Sequence, residues 1–473
     1  MKPFYLEGRW ETSPETHAVT NPWDGSTVGE ICLAEADQVE SAVASAHAAF
    51  RQTRSQPAWE RAQILSRIAD LIAARRNEFV RILVAEAGKP VTFAAAEVDR
   101  ATMTFRFAAQ LASGDEGHGV RMDASPPGVG HFGLVRRFPI GVILGITPFN
   151  FPLNLVAHKV APCLASGNTM VLKPALKTPF SALLLAEVLH EAGVPAGQIN
   201  VVPFGHDHIP ALLRDARIKM LSFTGSAAVG WKLKAGAAKM KVALELGGNA
   251  GVIVEDDANW EAAVPLIASA AFGYAGQSCI SVQRIFVHRA IHEPFREALI
   301  RRIRENIPAG DPSDPATVVG PMINAAARDK VVGWIREAQA RGARLLTPLR
   351  TEDPHLLHPV LLENAPAGCA AVAEEAFAPL AVLESHETFE EALEKVNASD
   401  YGLQAGVFTA DLSKALRAFD VLDVGGVMIN QVPTFRVENM PYGGVKDSGF
   451  GREGVRYAFE EMTEPRSLII RLH

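Results

Sequence analysis

Gly141-Val142-Ile143-Leu144-Gly145-Ile146-Thr147-Pro148-Phe149-Asn150 is the stretch on which the reading of the fold turns. A short apolar run breaks off into a loop stiffened by proline and carrying polar side chains. Similar apolar runs follow at Thr169 to Leu172, Ile199 to Val202, Met220 to Phe223, Val242 to Leu244 and Val252 to Val254. Helical stretches lie between them, such as Ser181 to Ala192, which meets a helix-stop signal at Gly193. Strands alternating with helices predict βαβ units and a parallel sheet, hence an α/β fold. Ligands of such sheets gather outside the carboxyl ends of the strands.

On the N-terminal side, Ser41 to Gln110 is rich in Ala, Leu and Arg with helical periodicity, for example Glu60-Arg61-Ala62-Gln63-Ile64-Leu65-Ser66-Arg67-Ile68-Ala69. Residues 113–134 then turn Gly- and Pro-rich, which predicts a loop or exposed hairpin. On the C-terminal side, residues 255–440 repeat the α/β texture. Helical runs such as Asn324 to Gly342 alternate with apolar runs such as Pro379 to Leu383 and Gly406 to Phe408, predicting a second α/β domain. Near the terminus, Leu468-Ile469-Ile470 reads as a strand able to complete a sheet in a partner subunit.

The chain of 473 residues is long enough for two or three domains. Its formal charge of −7 argues against a generic nucleic-acid footprint. Met1 to Gly8 has no apolar run of signal-peptide length, and no stretch approaches the roughly 18 apolar residues of a membrane span. Cys32, Cys163, Cys279 and Cys369 contain no Cys-x-x-Cys pair and make no disulfide framework. Reduced thiols in a cytoplasmic protein, with no membrane or nucleic-acid partner, are therefore expected.

Four segments carry candidate chemistry. Cys279 lies in Gly273-Tyr274-Ala275-Gly276-Gln277-Ser278-Cys279-Ile280-Ser281, a turn rich in small residues where a thiol is either accessible and activated or a buried structural one. Glu245, in Ala243-Leu244-Glu245-Leu246-Gly247-Gly248-Asn249, ends an apolar strand. Burial there would raise its pKa toward that of a general base; the alternative is a capping or ion-paired carboxylate. Asn150 is an amide donor between Pro148 and Pro152, suited to an oxyanion or to satisfying the turn backbone. Phe223-Thr224-Gly225-Ser226 precedes a helical run whose N-terminus could hold a pyrophosphate, although the Gly-x-Gly-x-x-Gly spacing is absent. His206-Asp207-His208 lacks further ligands at fitting spacing, so no metal site is expected.

Together these segments resemble the aldehyde dehydrogenase superfamily over nearly the whole chain. The resemblance rests on the order of Pro148-Phe149-Asn150, Lys173-Pro174, Phe223-Thr224-Gly225-Ser226, Glu245-Leu246-Gly247-Gly248, Gly276-Gln277-Ser278-Cys279, Glu374-Glu375-Ala376-Phe377-Ala378-Pro379 and Pro441-Tyr442-Gly443-Gly444-Val445-Lys446-Asp447-Ser448-Gly449. It implies a Rossmann-like dinucleotide-binding domain (1–117 and 137–246), an α/β catalytic domain (247–442) and a small β oligomerisation arm (118–136 and 456–473). Homodimers or homotetramers are implied. So is oxidation of an aldehyde to its acid with NAD or NADP. Cys279 would be the nucleophile, Asn150 and the Cys279 backbone N–H the oxyanion donors, and Glu245 the activator of water.

The resemblance further implies Lys173 at the adenosine ribose, Ser226 at the pyrophosphate, Glu375 at the nicotinamide ribose and Phe377 near the nicotinamide. Ile146, Thr147, Gly225 and Leu246 would line the same cleft. Three positions depart from the family pattern. Leu176 stands where NAD-preferring relatives often carry an acid, with Lys177 next, which keeps NADP open. Ala378 replaces a common glycine, and Asn249-Ala250-Gly251 a common Lys/Asn-Pro pattern. Ile146 to Leu155, Tyr274 to Ser281 and Asn439 to Glu453 are most similar to lactaldehyde and succinate-semialdehyde dehydrogenases, which implies a small hydroxylated or anionic aldehyde. Arg436 either reaches such an anion or is tied to surface carboxylates. A CoA-acylating enzyme is the alternative activity, and a non-catalytic protein on the same scaffold the alternative class.

Overall fold

The computed structural model describes residues 1–114 and 117–472. Residues 115 and 116, in the expected first domain, and residue 473, in the expected arm, lie outside the described residues.

Five parallel strands form the centre of the first sheet: β1 (Val142–Ile146), β2 (Thr169–Lys173), β3 (Ile199–Val201), β4 (Ile218–Thr224) and β5 (Lys241–Glu245). Their spatial order is β3-β2-β1-β4-β5. Phe4–Leu6, itself paired with Arg9–Glu11, and Gly449–Phe450 extend the two sides antiparallel. Every residue of β1 and β2 is buried, which is why both read as unbroken apolar runs rather than alternating ones. The crossovers are α1 (Asn154–Ser166) after β1, α2 (Phe180–Ala192) after β2 and α3 (Ala227–Gly236) after β4. Gly167 and Gly193 stop α1 and α2 in the left-handed conformation at φ 79° and 85°. The strand order reverses between β1 and β4, and a ligand crevice opens at such a switch point.

A second sheet is centred on β6 (Ala250–Val254), β7 (Val282–His288), β8 (Leu380–His386) and β9 (Gln404–Phe408). These strands lie parallel in the order β8-β7-β6-β9 and are packed by α4 (Trp260–Phe272) among others. One hydrophobic cluster gathers Phe4 through Leu246 with Val455, Phe459 and Met462; another runs from Val252 to Val432. The chain passes between the two sheets through Leu246-Gly247-Gly248-Asn249, the short link from β5 to β6.

The Gly/Pro-rich insert is a hairpin, His118–Val120 with His131–Pro139. Thr463–Arg471 pairs antiparallel along the whole of the second strand, from Thr463 opposite Pro139 to Arg471 opposite His131. Among the described residues its outer edge is unpaired, and Leu468, Ile469 and Ile470 are exposed. Among the described residues no helix is long and apolar enough to cross a membrane.

Candidate active site

Three chain segments deliver the three expected catalytic side chains to one place. Glu245 is the last residue of β5, and its carboxylate is buried with neither oxygen hydrogen-bonded. Burial, with the negative charge of Glu453, holds it well above the usual carboxylate range; Arg436, Lys159 and Arg452 pull the other way. Among the described residues Glu245 caps no helix and makes no ion pair. Gly443 permits the close approach: a Cβ there would lie 2.8 Å from Glu245 Oε1.

Cys279 sits in the turn between α4 and β7. Tyr274, Ala275 and Gly276 take left-handed φ of 52°, 53° and 64°, which folds the segment back on itself before the strand begins. Cys32, Cys163 and Cys369 are buried, whereas Cys279 is partly exposed. Its thiol is nevertheless pushed up to about 12 by burial of the sulfur, opposed by a hydrogen bond with Tyr442 at 2.9 Å. The thiol is thus partly accessible, and burial of its sulfur favours the protonated form.

The glycines after Glu245 explain themselves at this point. A Cβ on Gly248 would lie 2.1 Å from the Cys279 carbonyl oxygen, and one on Gly247 would lie 2.5 Å from Glu375 Oε2. The link therefore threads between the nucleophile's backbone and Glu375, with no room for a side chain on either side. Glu375 accepts a hydrogen bond from Gly248 N–H at 2.9 Å, and burial raises it to about 7.

Asn150 follows β1, and its amide donates to the Gln277 carbonyl at 3.0 Å. The two readings of Asn150 merge: it satisfies backbone, but the backbone is that of the cysteine turn. One N–H of its amide remains for a ligand. A buried ion pair stands behind both loops. Glu97 accepts from Leu153 N–H at 2.9 Å and Asn154 N–H at 3.1 Å, and pairs with Lys89. The Lys89 ammonium lies 3.8 Å from the Phe151 ring centroid and 4.4 Å from that of Tyr274.

Most residues expected at a dinucleotide lie at the carboxyl ends of the first sheet, whereas Glu375 and Phe377 precede β8 of the second. Ile146 ends β1, and Thr147 follows with its hydroxyl buried and unpartnered. Lys173 ends β2, buried, and desolvation lowers its pKa to about 8. Gly225 N–H donates to the Glu245 carbonyl at 3.0 Å. Ser226 caps the N-terminus of α3 without spending its side chain on the cap. Leu246 packs against Gly230, where a Cβ would lie 2.3 Å from the leucine methyl. Phe377, at φ 48°, meets Phe149 edge-on at 5.8 Å. His206-Asp207-His208 is a short turn, and among the described residues no cluster could hold a metal ion.

Arg436 is not a surface residue. Its side chain is 5% exposed, and its nearest carboxylate, Glu453 at 3.7 Å, is itself buried. Sequence reasoning missed its neighbours. Tyr442 touches the Cys279 sulfur; Lys159 bridges Glu453 at 2.9 Å, Ser222 at 3.0 Å and Thr224 at 2.8 Å; and His158 pairs with Glu438. Two charge-bearing side chains inside the apolar run Leu155-Val156-Ala157-His158-Lys159-Val160-Ala161 were the available signal, because such residues are buried only with partners.

The model of the aldehyde dehydrogenase family matches residues 10–468. A 3-sulfolactaldehyde dehydrogenase of Priestia aryabhattai is 41% identical over 469 residues, covering 99% of this chain and 98% of that protein. Aldehyde dehydrogenase 21 of Physcomitrella patens, solved with its reaction product succinate, superimposes with a TM-score of 0.96 at 37% identity, over 99% of this chain and 98% of that one. An NADP-dependent glyceraldehyde-3-phosphate dehydrogenase of Bacillus halodurans, solved with NADP, superimposes with a TM-score of 0.96 at 32% identity, over 100% and 99% of the two chains. With Rossmann-like and catalytic α/β units shared across those structures, the chain belongs to the aldehyde dehydrogenase family.

Proposed function

We propose that the protein oxidises a small hydroxylated or anionic aldehyde to its carboxylic acid with NAD or NADP. The observation that carries this reading is that the turn of Cys279 is held by Asn150 through the Gln277 carbonyl and packed on its other side by Gly248, just after Glu245, whose charge acts on the Cys279 thiol. The relatives named for sulfolactaldehyde and the neighbour solved with succinate support the substrate range.

The residues at the crevice fit a dinucleotide. Lys173 is a buried cation, Thr147 has an orphaned hydroxyl, and Ser226 leaves its side chain free at a helix N-terminus, where anions are stabilised. Lys173 would hold the adenosine ribose, Ser226 the pyrophosphate and Glu375 the second ribose, with Ile146, Thr147, Gly225, Leu246 and Phe377 shaping the walls. Bound there, the cofactor supplies a hydride acceptor.

The protein's own residues do the remainder. Cys279 attacks the aldehyde carbon as thiolate, forming a thiohemiacetal whose oxyanion takes the free Asn150 N–H and the Cys279 backbone N–H. Loss of hydride leaves a thioester on Cys279. Glu245, once ionised, takes a proton from water, and the hydroxide releases the acid. A base so close to the cysteine favours water over CoA as acceptor.

On the same footing we propose residues 1–117 with 137–246 as the dinucleotide unit and 247–442 as the catalytic unit. The arm of 118–136 with 456–473 would join copies of the chain into a homodimer or homotetramer, and a cytoplasmic location accompanies this reading. An initial-rate screen of small aldehydes, each with NAD and with NADP and each with and without CoA, tests the function. Acid formed without CoA is the expected result. Acyl-CoA formed only when CoA is present would overturn it.

A further inference from the structure

We infer that Gln283 is a positioning residue for the dinucleotide: its side-chain amide brackets Glu375 and fixes where that carboxylate stands relative to Cys279. The inference rests on the reading above that Glu375 meets the nicotinamide ribose.

Glu375 stands on a stretch that no ladder holds. Residues 374–379 belong to neither helix nor strand, between the short helix Ala370–Ala373 and β8. Gln283 takes a peptide group on each side of Glu375. Its amide nitrogen donates to the Glu374 carbonyl at 2.8 Å, and its amide oxygen accepts from the Ala376 N–H at 2.9 Å. The other N–H of the amide goes to the Ala371 carbonyl at 3.0 Å, in the helix before the stretch. Gln283 is buried, and both its N–H donors are used. Any of these groups left unmet in that place costs its desolvation, so the loop and the amide hold each other.

The strand aims the amide there. β6 and β7 pair in parallel with Ala250 opposite Val282 and Gly251 opposite Arg284, so Gln283 is the extra residue of a bulge. A bulge re-aims the side chains around it. Gln283 turns to the Glu375 stretch, while Arg284 turns to the link from β5 and donates to the Asn249 carbonyl at 2.9 Å. The Asn249 amide donates in turn to the Val372 carbonyl at 2.6 Å. Glu375 is thus held at both ends, its main chain by Gln283 and its carboxylate by the Gly248 N–H at 2.9 Å.

The same segment carries the nucleophile. Cys279 lies four residues before Gln283, and between them Ser281 Oγ donates to the Ala270 carbonyl at 3.1 Å, which ties the segment to the end of α4. The spacing between the sulfur and Glu375 is therefore set by the short run from Cys279 to Gln283. A reacting partner seated about 1 Å off can lose about 100-fold in rate.

Calorimetric titration of the full-length protein with two ligand pairs tests this: NADH against ADP, and NADPH against 2′,5′-ADP. The smaller member of each pair has no nicotinamide ribose. Gln283→Met should weaken NADH and NADPH about tenfold and leave the smaller members within about twofold. In a Glu375→Gln background the same change should add no further loss, because Gln283 acts through Glu375. Single-turnover hydride transfer at saturating cofactor should slow in Gln283→Met with the KM for aldehyde unchanged. Asn168→Leu is the control. Its buried amide likewise donates to a carbonyl, Met462 at 2.7 Å, and accepts from an N–H, Gly141 at 2.8 Å, but at the amino ends of β1 and β2, opposite the crevice. It should lower the melting temperature and bind all the ligands as wild type does. Should Gln283→Met not fold, Gln283→Glu, of the same size and still an acceptor for Ala376, carries the same expectation. Equal weakening of both members of a pair would make Gln283 merely structural and overturn the inference. So would wild-type affinities in the Gln283 variant, an additive loss in the double variant, or the same selective loss in Asn168→Leu. If Glu375→Gln weakens NADH and NADPH but the Gln283 variant does not, this inference fails alone. If Glu375→Gln binds every ligand as wild type does, the placement of Glu375 at the ribose fails first, and this inference with it.

Discussion

The phenolic oxygen of Tyr442 lies 2.9 Å from the sulfur of Cys279, and each is buried among groups that disfavour its charged form. The contact lowers the thiol's pKa against the dominant effect of burial. Tyr442→Phe should therefore move the thiolate to higher pH. Losing one hydrogen bond to a charged group, about 1.5–3 kcal/mol, corresponds to a shift of about one to two pH units. The pH dependence of Cys279 alkylation by iodoacetamide checks this. A profile that stays in place would remove Tyr442 from the activation of the thiol.

Glu245 illustrates the opposite sign problem. Its raised pKa means that the carboxyl is protonated at low pH and becomes a base only as pH rises. Steady-state turnover limited by thioester hydrolysis should accordingly increase with pH. Glu245→Gln should keep a burst of reduced cofactor and slow the subsequent turnover by roughly 100-fold or more, the range of general-base catalysis. Stopped-flow absorbance at 340 nm, the absorption of reduced nicotinamide, separates the two phases.

The Lys89–Glu97 pair supports both loops of the site, through the Leu153 and Asn154 amides on one side and the Phe151 and Tyr274 rings on the other. Glu97→Gln leaves Lys89 as a lone buried charge, a change that typically costs about 3–5 kcal/mol. The expected outcome is a lower melting temperature together with an acylation rate reduced about tenfold through misplacement of Asn150. Cofactor affinity, measured by fluorescence titration, should stay within about twofold, because the pair does not touch the dinucleotide crevice.

How much of this was legible in the sequence differs from residue to residue. β1 and β2 were visible because strands buried on both faces read as uninterrupted apolar runs. Cys279, Glu245 and Asn150 each sit in a short segment whose local composition marks it. Tyr442 is 163 residues from Cys279, and Lys159 is 294 from Glu453. Such pairs follow no local period, and only the folded arrangement brings them together. Arg436 was open between substrate and surface. Its burial decided against the surface, which no composition or spacing could have done.

Lys173 has its pKa lowered to about 8 by burial at the end of β2. It is charged below that pH and loses its charge as pH rises through it. A cation at the adenosine ribose favours a 2′-phosphate, and Leu176 adds no opposing carboxylate. The ratio of NADP to NAD affinity should thus fall between pH 7 and pH 9. Lys173→Ala should flatten that dependence, as read from dissociation constants at the two pH values.

The central claim is that an acyl group passes through Cys279. The most direct measurement is mass spectrometry of the Glu245→Gln protein after one turnover with aldehyde and NAD(P), with peptide mapping of the adduct. An acyl mass on the peptide carrying Cys279, formed with one equivalent of reduced cofactor per subunit and absent in Cys279→Ala, is the predicted result. Reduced cofactor formed normally by Cys279→Ala, or an acyl group on another residue, would contradict the account.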